Sequence, residues 1–156
     1  MTYAANTEVP ADRSRAEIER TLQRYGADQF MYGWSEDAAV VQFRMNERVV
    51  KFLLPMPDRD DPEFRMTPAG KRERTPEQQQ KEWERATRSR WRALALVVKA
   101  KLEAVESGIT EFDDEFLAHI ILPDGSTAGQ WLRPQLDEAY RSGRMPSALP
   151  ALGSGL

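Results

Sequence analysis

Six cations in this sequence are spaced to grip phosphate: Arg72, Arg74, Lys81, Arg85, Arg88 and Arg92. The last four recur every three or four residues, so they share one flank if the stretch is helical. A guanidinium offers a phosphate two parallel hydrogen bonds, and a row of cations neutralises a nucleic-acid backbone without reading its bases. Tyr32 and Trp34, with Trp83 as a further candidate, supply aromatic faces on which unpaired bases can stack. Phosphate contacts plus stacking would suit single-stranded DNA.

Arrangements for catalysis are thinner. His119 is the only histidine, so any triad must be built around it, and no serine or aspartate is paired with it by the sequence. Glu115 precedes it at the spacing of two metal ligands on one helical face, with Asp114 near by, but no third ligand is indicated. Pro57-Asp58, Glu63 and Arg65 faintly follow the paired-acid pattern of metal-dependent nucleases. The acids there lie in a loop rather than on neighbouring strands, and an arginine stands where a lysine is expected. Gly125-Ser126-Thr127-Ala128-Gly129 lacks the lysine of a phosphate-cradling loop. The reading is therefore a protein with no catalytic residue, no metal site and no cofactor.

Charge is distributed unevenly. The net charge is −3, yet residues 65–101 carry 11 basic and 4 acidic side chains, between an N-terminal part with 8 and 12 and a C-terminal part, 102–156, with 3 and 9. Arginine outnumbers lysine 17 to 5, a bias that a GC-rich genome also produces through codon usage. At 156 residues the chain has the length of one domain with a core of its own. The absence of cysteine excludes a disulfide frame and a zinc finger and fits a reducing compartment. No apolar run approaches the length of a membrane span and no secretory leader opens the sequence, so a cytoplasmic location is expected.

The element that must carry the cations runs from Thr75 to Gly108. Thr75 can cap it, Pro76 supplies the first helical φ, Gln78 completes a capping box and Gly108 stops it. Trp83, Thr87, Trp91, Leu94, Val98, Leu102 and Val105 then form an apolar stripe beside the basic one, which Lys99 extends. Between Ala93 and Val98 the helix is apolar all round, which calls for cover on more than one side. Upstream, Ser14 and Glu17 suggest a capped helix that ends at Gly26. Three strands follow, from Gln29, from Ala38 to Met45 and from Arg48 to Leu54, turned at Ser35-Glu36-Asp37 and at Asn46-Glu47. Downstream, residues 110–121 read either as a short helix capped by Thr110 and then a strand, or as one continuous strand. Thr127 and Gln130 open a last helix with Trp131, Leu132, Leu136 and Tyr140 on it, Pro134 inside it and Ser142-Gly143 at its end.

The predicted fold is α+β: an N-terminal helix, a three-stranded antiparallel meander, a long central helix packed on the sheet, and C-terminal helices. Residues 1–12 read as a flexible arm, 13–145 as a single domain with a long mobile loop at 55–74, and 146–156 as a flexible tail. Leu94, Val98 and Leu102 are expected in the core against Val41, Phe43, Val50 and Phe52.

Ser14-Arg15-Ala16-Glu17-Ile18, Arg24-Tyr25-Gly26-Ala27, the run Val98 to Gly108, Phe116-Leu117-Ala118 and Leu122-Pro123-Asp124-Gly125 resemble small uncharacterised proteins encoded by bacteriophages and prophages. The resemblance covers roughly residues 14–150 and implies a cytoplasmic role in phage or mobile-element biology, without an active site to carry over. The order helix, three antiparallel strands, long helix also resembles double-stranded-RNA-binding domains and the core of single-strand-annealing recombination proteins. The long loop and the spread-out arginines depart from the RNA-binding pattern. The expectation is a non-catalytic nucleic-acid-binding accessory protein of phage replication or recombination, favouring single-stranded DNA. The alternative is a protein-interaction module that regulates a host or phage enzyme by docking its basic helix on an acidic partner. Self-association into a homo-oligomer is compatible with both, and no membrane partner is expected.

Overall fold

The computed structural model describes residues 3–70 and 72–146, with residues 3–10 as backbone alone. The tail expected at 146–156 lies, apart from Pro146, outside the described residues. The architecture is α+β, in the order α1 (Tyr3–Tyr25), β1 (Gln29–Trp34), β2 (Ala38–Met45), β3 (Arg48–Pro55), α2 (Pro62–Arg65), α3 (Pro76–Glu106), α4 (Phe112–Phe116), a 3-10 turn (Leu117–His119) and α5 (Ala128–Ser142).

The sheet is an antiparallel meander ordered β1-β2-β3. Met45 pairs with Arg48 across a two-residue hairpin, and Asn46 (φ 52°) and Glu47 (φ 63°) both adopt left-handed backbone. That geometry suits the twist of the two strands, and asparagine tolerates it better than most residues. Alternation does the rest: Ala39, Val41, Phe43 and Met45 of β2 and Val50, Phe52 and Leu54 of β3 are buried on one face. Met31 and Leu53 stay exposed on the other.

Helix α3 lies on the buried face. Thr75 and Gln78 form the predicted capping box, each side chain accepting from the other's backbone N–H. Gly108 takes the left-handed backbone that ends the helix (φ 79°), with its N–H donating to the Val105 carbonyl. Trp83, Thr87, Trp91, Leu94, Ala95, Val98 and Leu102 are its buried residues. Leu94, Val98 and Leu102 join Val41, Phe43, Val50 and Phe52 in one core, as the stripe predicts. Helix α1 adds Ile18 and Leu22, and its end meets that of α3 where the Tyr25 hydroxyl donates to Glu103 (2.6 Å). The α4 turn closes the remaining side with Phe112 and Phe116, whose ring meets Phe43 edge-on at 5.8 Å.

Three expectations are revised. Helix α1 starts at Tyr3, not at Ser14, so Ser14 lies inside a helix rather than capping it, and Ala11 packs against the core. Residues 110–121 resolve into α4 and the 3-10 turn, followed by single bridges from Ile120 to Val50 and from Ile121 to Thr127. Glu111, not Thr110, occupies the cap of α4; the Thr110 hydroxyl donates to Glu115 instead (3.1 Å).

The segment 55–74 is the third. It is no open loop: Asp61 caps α2, Phe64 is buried, and Met66 bridges Glu73. Arg74 donates through Nη1 to the carbonyls of Glu63 (2.9 Å) and Phe64 (3.3 Å), and the Trp83 indole N–H donates to the Pro57 carbonyl (2.7 Å). Non-local partners thus satisfy a backbone that its own composition leaves without regular structure.

Candidate nucleic-acid interface

Lys81, Arg85, Arg88, Arg92 and Lys99 lie within about 60° of one another around the axis of α3, beside its buried stripe. From Lys81 to Lys99 the row runs about 27 Å, with neighbouring cations about 5–6 Å apart in the first three turns. Lys81, Arg85, Arg92 and Lys99 are exposed and Arg88 is half-buried. Arg85 has Glu82 at 3.6 Å; among the described residues no carboxylate comes within 4.0 Å of the charged ends of the other four.

At the N-terminal end of the row, Arg72, Lys81 and Arg85 line a shallow concavity with Arg74, and Glu73 and Glu82 share it. Arg72 is exposed. Arg74 is half-buried and committed to the backbone of α2, so it holds this concavity in shape more than it offers charge to a ligand. At the other end Lys99 lines a second hollow with Glu17, Arg20, Thr21 and Arg24 of α1. Arg20 and Arg24, with Arg13 on the same exposed side of α1, add three cations there, with Glu17 standing among them. They were not among the residues singled out from the sequence. Their spacing at 13, 20 and 24 is the helical repeat that marks one face, and it was legible in the sequence.

The aromatic candidates do not join this row. Tyr32 and Trp34 pair with Val41 and Ala39, which places them on the helix-covered side of the sheet, at its open edge. Both are exposed, and the Arg15 guanidinium lies 4.0 Å from the centre of the Tyr32 ring. Arg24 stands about 180° around α1 from Arg15, so the Tyr32 ring and the α3 row occupy opposite flanks of that helix. Trp83 is buried under the Arg59 guanidinium at 3.9 Å and faces no open groove. Trp91 is core.

The other chemical candidates are kept apart too. Glu115 pairs with Lys101 (3.3 Å), and the helix stops at Phe116, which breaks the spacing that would set Glu115 and His119 on one face. His119 instead stacks on Phe52, ring centres 4.2 Å apart. Desolvation there, helped by the Lys101 charge and opposed by a backbone hydrogen bond at Lys51, lowers its pKa below the usual imidazole value. Among the described residues no three His, Cys, Asp or Glu side chains are grouped to share a metal ion. Nor is any described helix long and apolar enough to cross a membrane.

No family model, no curated protein and no solved structure matches this chain.

Proposed function

We propose that the chain binds nucleic acid along the α3 row, as a non-catalytic accessory protein, with single-stranded DNA as the ligand and phosphates as the atoms held. The observation that carries this reading is the row of cations itself, in which Arg85 alone has a carboxylate neighbour among the described residues. Four cations with no carboxylate partner among the described residues, on one rigid helix and continued by Arg20 and Arg24, make a line of positive charge that follows one backbone. With Tyr32 and Trp34 on the far flank of α1, stacking adds little, so binding is expected to tolerate any base sequence. A role in phage or mobile-element replication or recombination rests on the resemblance to phage-encoded proteins.

Fluorescence anisotropy with labelled single-stranded and duplex DNA of equal length tests the reading. Saturable binding to the single strand at about 50 mM salt, weaker for duplex and weakening further as salt rises, is expected. Absence of salt-sensitive binding to either would end the proposal. A protein partner docking on the basic helix is the second reading. Glu73 and Glu82 within the cationic concavity, and the net charge of −3, favour it, because both lower the attraction for a polyanion.

A further inference from the structure

An apolar strip lies beside the basic row on the solvent side of α3. Ala93, Leu96, Val97 and Ala100 are all exposed there, Leu96 by 63 %, and their spacing of three or four residues makes them one continuous patch. Leu96 comes four residues after Arg92 and three before Lys99, so it borders the row directly. Arg90, also exposed, bounds the strip on its other side, about 20° from Val97 around the helix axis. From Arg85 to Leu102 the helix carries no acidic residue. Carboxylates mark the two ends instead. Glu63 and Glu82 share the cleft between α3 and the α2 segment with Arg85 and Arg90, and Glu103, which accepts from the Tyr25 hydroxyl, lies beyond Ala100.

A single nucleic-acid strand has the matching pair of edges, charged phosphates along one side and apolar base faces along the other. Resting on the reading of α3 as the phosphate-binding element, we infer that the bases of the bound strand lie against Ala93, Leu96, Val97 and Ala100, and that this contact sets the preference for unpaired over duplex DNA. In a duplex the bases are paired and stacked on one another, so phosphates on the row would leave the strip uncovered. The strip spans about 10 Å, room for about two or three bases at roughly 3.4 Å each. Its side chains carry no donor or acceptor, so they hold bases by packing and do not read their edges, which keeps binding tolerant of sequence. An acidic protein segment also joins charge to apolar side chains, but its charges have no fixed repeat, whereas Lys81, Arg85, Arg88 and Arg92 set one cation per turn, as a regular backbone requires.

Anisotropy titrations with two labelled strands of equal length test the inference: oligo-deoxythymidine, and a strand of abasic sites with the same number of phosphates. At one salt concentration the abasic strand should bind about tenfold more weakly, with the same dependence on salt. Changing Leu96→Ala and Val97→Ala together keeps helix propensity and adds no hydrogen-bonding group. That variant should lose about fivefold in affinity for oligo-deoxythymidine and nothing for the abasic strand, with an unchanged circular-dichroism spectrum. Equal affinity of the wild type for the two strands would overturn the base contact. So would a loss in the variant that is the same for both, which would put a second copy of the chain or a protein partner on the strip. Either result leaves salt-sensitive binding by the row intact. Absence of salt-sensitive binding to both strands would instead end the phosphate reading, and the base contact with it.

Discussion

Helices α3 and α5 are introduced by the same local chemistry and end up in opposite environments. Both begin with a threonine whose side chain accepts from a glutamine three residues on, both have that glutamine reach back, and both are followed by a left-handed glycine. Yet α3 buries seven residues and α5 none. Caps and apolar spacing therefore determine that a helix forms and which side of it is apolar. What covers that side is settled by the rest of the chain, and for α5 the described residues supply the turn around Ala118.

Truncation should show the contrast at its largest. Phe116, fully buried between Phe43, Phe52 and Phe112, should cost about 3–5 kcal/mol when changed to alanine, measured by urea unfolding. Leu136→Ala in dilute, monomeric solution should shift the same curve by no more than about 0.5 kcal/mol. Equal losses at the two sites would mean that α5 is covered within one chain.

The caps give a smaller, sharper version. Thr75→Ala should lower global stability by about 1 kcal/mol, because the α3 start is tied to the folded core. Thr127→Ala removes the equivalent side-chain acceptor of the Gln130 N–H but should speed amide exchange in α5 while leaving the global midpoint almost unmoved. A global loss from both would make α5 part of the cooperative unit.

Acidification probes the junction between the two regions. His119 sits in the turn on which α5 rests, and its pKa in the folded chain is below the unfolded value of about 6.5. The unfolded state then binds the proton more readily, so this contribution is complete above the unfolded pKa and is lost as pH falls through it toward the folded one. Stability should decline between neutral and mildly acidic pH, and His119→Gln should flatten that part of the profile. A profile identical in the variant would remove His119 as the cause.

The same contrast separates what was legible in the sequence from what was not. The three strands, the Asn46-Glu47 hairpin, both capping boxes and the buried stripe through Leu94, Val98 and Leu102 depend on residues close in the chain, and they appear where local chemistry puts them. The folded state of residues 55–74 depends on Arg74 reaching the carbonyls of α2 and on Trp83 reaching Pro57, contacts that no periodicity announces. The candidate site divides in the same way. Helical counting placed Lys81, Arg85, Arg88 and Arg92 on one side of α3, but the separation of Tyr32 and Trp34 from them is set by where α1 lies across the sheet.

The cationic row on α3 is the central feature, and the salt dependence of binding tests it directly. Affinity for single-stranded DNA should fall steeply as salt rises, and replacing Arg85, Arg88 and Arg92 together with glutamine should reduce the slope of log affinity against log salt by about two units. Glutamine keeps helix propensity, so an unchanged circular-dichroism spectrum should accompany the change. A slope the same in the triple variant as in the wild type would contradict the placement of phosphates on α3.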